Sequence, residues 1–258
     1  MKHWCKRFGL LFTMMVIWGF GVTFAQTVQQ RFDEANNAAL QGNLAEAYVA
    51  YQSLEAEGHV SGKLYYNLGI IAFQLDSLSV SKLYHIAAMR YNETRTPAAE
   101  AITFLDTRFP QRVAELPKLP WEQFFDFLLR TFGLNLLFGS VIFIANTGIV
   151  LYMLGWWIGR PRWLRGAYLS ALLYTLTFLS ISLYIDYKEH RYRDGVIIEG
   201  QYALKEEPNP ASAVVTQAYE GYRFLVDLEQ SAQKPGWLYV RLSNGLYGWL
   251  PQHAIRMI

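Results

Sequence analysis

The chain has 258 residues, 52% of them hydrophobic and 16% aromatic, and a net charge of +2. That balance, with no long basic stripe to neutralise phosphates, argues against nucleic acid as a partner. Its one cysteine, Cys5, can build neither a disulfide nor a thiolate metal site.

The N-terminus reads as an export signal. Lys2, Lys6 and Arg7 precede an apolar run over 8–22, and Thr23-Phe-Ala25 places small residues at the two positions a signal peptidase reads. A signal peptide over 1–25 is expected, cleaved before Gln26 or kept as an uncleaved anchor. Either way the N-terminus stays inside and the segment from Gln26 is exported. Cys5 precedes the apolar run, so a lipoprotein anchor does not fit.

From 26 to 109 the chain is helical and repetitive. A shift of 34 residues lays the stretch Phe32–Tyr51 over Tyr66–His85. Ala35 then meets Gly69, Ala38 meets Ala72, Leu44 meets Leu78, Ala47 meets Ser81, Tyr51 meets His85 and Leu54 meets Ala88. Small residues fall where two antiparallel helices must approach, and Gly42 and Asp76 occupy the turns between helices. This pattern resembles the tetratricopeptide repeat, most specifically in Tyr65-Tyr-Asn-Leu-Gly69 followed by Ala72. The first repeat is weaker, with Arg31 where the family has an aromatic and Glu34 where it has leucine. Repeats are expected at about 28–61 and 62–95, with a closing helix over 97–109. The resemblance implies a concave partner-binding groove lined by Phe32, Asn36, Leu40, Tyr66, Ile70, Phe73 and Gln74, a mixture suited to a peptide or helix. Several of these residues could equally pack against the closing helix.

Residues 110–130 read as a proline-containing linker and then an aromatic-rich helix, holding Trp121, Phe124, Phe125 and Phe127 beside Glu122, Asp126 and Arg130. It either lies in a membrane interface or extends the next helix. Two uncharged apolar stretches come next, at 131–159 and 166–185, each long enough to cross a bilayer. The loop 160–165 carries Arg160, Arg162 and Arg165 and no acid, which the positive-inside rule places in the cytoplasm. Lys188, Arg191 and Arg193, after the second span, pull the other way, and the export signal decides. Asn135 and Asn146 in the first span, and Ser140 with Gly139, are expected to make membrane helix contacts, holding the hairpin together through Ser170, Tyr174, Thr175, Thr177 and Ser180 or docking a neighbour's helix. Neither span carries the ionisable groups that transport needs.

After a linker at 186–194, short apolar runs alternate with period two and are divided by glycine and Asn-Gly signals, which predicts a small antiparallel barrel over 195–258. The runs are Ala213–Tyr219, Tyr222–Leu228, Gly236–Leu242 and Leu246–Pro251, with the turn Ser243-Asn-Gly245. The ending Trp237-Leu-Tyr-Val-Arg-Leu242, Asn244-Gly245 and Gly248-Trp-Leu-Pro251 resembles the bacterial SH3 domain. Trp237, Tyr239, Tyr247 and Trp249 are candidates for an aromatic patch, at least two of them being expected to point into the core.

No motif nominates catalytic residues, a metal site or a cofactor. There is no Walker-type loop, no His-Glu-x-x-His and no Gly-x-Ser-x-Gly, and His59, His85, His190 and His253 are scattered. The fold class expected is a multi-domain membrane protein: an all-α tetratricopeptide solenoid, a two-helix transmembrane hairpin and an SH3-like small β-barrel. That order resembles the E-type member of the Bacteroides aerotolerance (Bat) group. The resemblance implies a non-enzymatic scaffold in a bacterial inner membrane, with both soluble domains periplasmic. Its partners would be Bat proteins bearing von Willebrand A domains, beside a MoxR-type ATPase. The alternative is a peptidoglycan-binding membrane protein acting through the SH3 domain.

Overall fold

A computed structural model describes residues 28–111, 116–117, 119–159 and 161–258. The expected signal peptide at 1–25, and Arg160 of the expected cytoplasmic loop, lie outside the described residues. The chain divides into two compact units, Met1–Phe109 and Pro110–Ile258.

The first unit is built of helices: α1 over 28–40, α2 (Leu44–Ala56), α3 (Gly62–Gln74), α4 (Leu78–Ala88) and α5 (Arg95–Asp106). The period of 34 read from the sequence is present in the backbone: α1 and α3 end, and α2 and α4 begin, 34 residues apart. Even the turns repeat. Gly42 and Asp76 both adopt positive φ, at 83° and 62°. Asn43 N–H donates to Ala38 O, and Ser77 N–H to Ala72 O, each at 2.9 Å. Such six-to-one closures satisfy the last carbonyls of a helix and reverse the chain tightly. The small residues fall at the contacts: Ala35, Ala47, Gly69, Ala72, Ser81 and Ala88 are buried, and Tyr51, Leu54, Leu68 and Leu83 fill the space between helices. Arg31, unusual for the repeat pattern, has its own use here. Its guanidinium donates to both Glu57 oxygens at 2.6 and 2.8 Å and to Ser53 Oγ at 3.0 Å, tying α1 to the end of α2.

The second unit begins with a long helix, α6 (Pro120–Trp157), followed by α7 (Arg162–Arg191). Pro120 opens α6 at its first position, where a missing N–H costs nothing, and Leu119 N–H donates to the Glu122 carboxylate at 3.1 Å. α6 is interrupted at Gly133, whose φ of 68° and ψ of 157° are accessible to glycine alone. The aromatic-rich segment before the break is therefore a separate helical piece. A straight continuation of the α6–α7 pairing would carry Phe125 past the end of α7. Instead its ring centroid lies 5.1 Å from that of Tyr184, and Leu128 is buried with Leu137 and Ile185.

Beyond the break, 134–157 is about 36 Å long at about 1.5 Å per residue, enough to cross the roughly 30 Å of a bilayer core. Both α6 and α7 are long and apolar enough to span a membrane, with mean hydropathy of 2.0 and 1.6 over their most apolar windows. Only 11% of each window is buried within the protein, whereas a helix in a soluble core would bury most of it. The two run antiparallel: Gly148 faces Ala171, Gly155 faces Leu164, and the rings of Tyr152 and Tyr168 meet edge-on at 5.4 Å.

Seven strands complete the unit: β1 (Tyr192–Ile197), β2 (Gln201–Lys205), β3 (Val214–Tyr219), β4 (Arg223–Asp227), β5 (Trp237–Leu242), β6 (Tyr247–Pro251) and β7 (Ile255–Met257), with a one-turn helix α8 (Leu228–Ser231) after β4. The sheet is antiparallel in the order β3-β2-β6-β5-β4-β1-β7. Its inner face carries Ile197, Leu204, Ala218, Phe224, Val226, Leu238, Val240, Leu242 and Leu250, all nearly inaccessible. Among the described residues no second layer covers them beyond α8 and the short turn before β7, so the sheet buries this face by curling on itself. Three elements were not legible in the sequence: β2, β7, and the start of β1 at Tyr192. The stretch expected as a linker, 186–194, is the last turn and a half of α7 followed directly by β1. Its charged residues read as linker, but two of them find ion partners at the sheet, Arg191 with Asp227 and Asp194 with Arg223.

Candidate interaction surfaces

In the first unit, the groove candidates divide by what they touch. Asn36 is half-buried and engaged with its neighbours. Its Oδ1 accepts from Tyr51 Oη at 2.6 Å and Asn67 Nδ2 at 2.9 Å, and Asn67 Nδ2 also donates to Tyr51 Oη at 3.1 Å. This triad joins α1, α2 and α3, and burial of Tyr51 pushes its phenol above the ordinary range. Phe32 rests on Tyr51 at 5.6 Å, and Tyr66 meets the His85 ring edge-on at 5.2 Å. Phe73 packs edge-on against Phe104 of α5 at 5.7 Å, as the closing-helix alternative anticipated. Leu40, Ile70 and Gln74 remain exposed, Leu40 at 85%. Phe104, 46% exposed, with Arg108 over its ring at 5.0 Å, extends the apolar strip beyond Phe73. The sequence reading missed it, because no repeat partner marks α5.

Behind this face sits a buried histidine. The His85 ring lies under Gly69, where an added Cβ would stand 2.8 Å from ring atoms, and Ser81 Oγ donates to Gly69 O at 2.8 Å beside it. His85 is 3% exposed and its Nδ1 has no hydrogen-bond partner among the described residues. Burial in these surroundings disfavours the imidazolium and lowers the ring's pKa to about 4.

In the second unit, the span-facing polar residues behave differently from one another. Tyr174 Oη donates to Ser140 Oγ at 3.3 Å, a hydrogen bond between side chains of α6 and α7. Asn135 and Asn146 are exposed on the far side of α6 from α7. Asn146 Nδ2 donates to Ile142 O, in its own helix, at 2.7 Å. Of the polar residues of the first span, Ser140 meets Tyr174 of α7, whereas Asn135 and Asn146 do not close the hairpin. The pairing of small residues at Gly148 and Gly155 with α7 fixes the contact face elsewhere on the helix.

The sheet corrects a second expectation. All four aromatic candidates lie on the outer face, none in the core. Within β5, Trp237 and Tyr239 share a parity opposite to the buried Leu238 and Val240. Within β6, Tyr247 and Trp249 alternate with Gly248 and the buried Leu250. Register pairs Tyr239 with Trp249 and Arg241 with Tyr247, so the four side chains share one face. Tyr239 meets Trp249 edge-on at 5.2 Å and lies tilted against Tyr247 at 6.4 Å. Tyr247 is 61% exposed and the other three half-buried.

The same outer row continues through Asp227, opposite Tyr239, to Tyr192. Asp227 is 5% exposed. Its Oδ1 accepts from Gln230 N–H at 3.1 Å, capping α8, and its Oδ2 accepts from Arg191 Nε and Nη2 at 2.9 and 2.7 Å. Arg191 also pairs with Glu229 at 2.6 Å and donates to Tyr187 Oη. The bonds to Asp227 and then to Tyr187 raise the guanidinium further above its ordinary range. The end of α7 is thus bolted to the sheet without an intervening loop.

Among the described residues no three of His, Cys, Asp and Glu come together as a metal-holding group. The chain matches no protein-family model, no curated protein and no solved structure.

Proposed function

We propose that this chain is a non-enzymatic membrane adapter, in which a hairpin of α6 and α7 crosses a bacterial inner membrane and presents two periplasmic interaction modules. The helical unit acts as a tetratricopeptide-type binder of a peptide or helix, and the sheet as an SH3-type module. The role is the one implied by resemblance to the Bat group: assembly of an envelope stress complex with von Willebrand A domain partners. The observation that supports it best is the 34-residue helix-pair period, with Leu40, Ile70 and Phe73 left at the surface of α1 and α3. Tethering in the membrane raises the effective concentration of each module for partners in the same plane.

The test is co-purification from detergent-solubilised membranes, comparing the parent with a Leu40→Glu, Ile70→Glu variant. Both side chains are exposed, so the substitutions spare the core. Partners recovered with the parent are expected to be lost from the variant while both chains remain in the membrane fraction. An unchanged partner set would refute groove recognition.

A second reading, peptidoglycan binding, draws support from the aromatic row Trp237, Tyr239, Trp249 and Tyr247, since sugar rings stack on such faces. Retention of the full chain on purified sacculi, lost on Trp249→Ala with Tyr247→Ala, would favour that reading over the adapter.

A further inference from the structure

The face of α6 turned away from α7 carries amides that a purely lipid-facing surface would lack. Asn135, Gly139, Ile142, Asn146 and Met153 are all exposed and fall within an arc of about 60° at about 100° per residue. Nothing outside the helix lies within 4 Å of where a Cβ on Gly139 would stand. Asn146 commits one N–H to Ile142 O and keeps its other N–H and its carbonyl free of that bond. Asn135 has no side-chain hydrogen bond to any described residue. An amide in hydrocarbon is costly until it finds a partner, and α7 is engaged on another face, through Ser140, Gly148, Tyr152 and Gly155.

Building on the membrane hairpin proposed above, we infer that this stripe docks the same stripe of a second copy of the chain, giving a parallel pair of α6 helices about a two-fold axis along the membrane normal. Copies inserted by one route share one topology, so their α6 helices run in the same direction. A two-fold axis then sets each stripe residue opposite its own equivalent. That geometry demands side chains able to pair with themselves. An amide is both donor and acceptor and does so, whereas carboxylates or amines would repel. Gly139 lets the two backbones approach between the polar contacts. Asn135 and Asn146 are 11 residues apart, three turns at about 3.67 residues per turn, so both amides stay on the axis with little supercoiling. Two amide pairs also fix the register, as a buried asparagine does in a coiled coil.

The test uses the full chain in native membranes, with Cys5→Ser as background. A single cysteine is introduced by Ile142→Cys on the stripe or, as a control, by Leu173→Cys on α7, where the side chain is 68% exposed. Oxidation is expected to give disulfide-linked species of twice the chain mass from Ile142→Cys and not from Leu173→Cys. Adding Asn135→Leu and Asn146→Leu should lower the initial dimer yield at least about tenfold while the chain still resists alkaline extraction. Equal cross-linking at both positions, capture of a different polypeptide at Ile142→Cys, or dimers indifferent to loss of the amides would each overturn the inference. Release of the parent chain by alkali would instead overturn the hairpin itself, and the inference with it.

Discussion

The buried His85 ties the stability of the helical unit to pH. In the folded unit the ring is held neutral down to about pH 4, while in the unfolded chain it takes up a proton near its ordinary 6.5. The unfolded state therefore binds more protons between these values, and stability falls as pH falls. It is complete above pH 6.5 and erodes down to pH 4, for a total of about 3 kcal/mol at about 1.4 kcal/mol per pKa unit. At pH 5 about 2 kcal/mol is already gone, a factor of roughly twenty to thirty in the population of opened molecules. The Glu57 carboxylate, held below its ordinary 4.5 by Arg31, adds its own acid loss only below that value. The window from pH 6.5 to 4.5 thus belongs to His85. Hydrogen exchange of the full chain in detergent, at pH 7 and pH 5, would read this in peptides from α3 and α4. A His85→Leu variant measured at the same pH values removes the effect of pH on intrinsic exchange. The parent is expected to lose the stated factor in protection relative to the variant. If parent and variant lose protection equally, the burial argument fails.

The close approach of Gly69 to the same ring gives a coupled prediction: Gly69→Ala should cost about 1–3 kcal/mol by overpacking. Combined with His85→Ala it should cost clearly less than the sum, as thermal unfolding would show; additive effects would contradict the contact. In the sheet, a Cβ on Gly248 would stand 2.5 Å from the Lys205 carbonyl, a backbone atom that cannot rotate away. Gly248→Ala should separate β2 from β6 and expose Leu204 and Leu250 to limited proteolysis. At the junction, Asp227→Ala removes the cap of α8 and one of the partners of Arg191, which keeps Glu229 and Tyr187, and loss of the cap should cost about 1–2 kcal/mol. Asp227→Asn should fall between parent and alanine in urea denaturation, because it retains the cap but loses the charge.

Much of this architecture is written locally. The period of 34, the left-handed turns at Gly42 and Asp76, the two long apolar helices and the Asn244-Gly245 hairpin each depend on a few neighbouring residues and were readable as such. Two strands without clear alternation, β2 and β7, were not: β7 finds its partner β1 far back in the chain, and β2, shifted in register against β3 between Leu204 and Lys205, reaches the rest of the sheet through Lys205 opposite Trp249 of β6.

Periodicity in the chain determined which residues share a face of each helix or strand. It did not determine what stands opposite that face. Only the packing of α6 on α7 decided that Ser140, and not Asn146, looks at the neighbouring helix. Only the pairing of β5 with β6 turned all four aromatic side chains outward. Docking of Arg191 on Asp227 converted an apparent linker into a fixed junction. The reason is physical: a dihedral pattern is fixed by the residues that carry it, whereas a face acquires a role from groups brought to it from far along the chain.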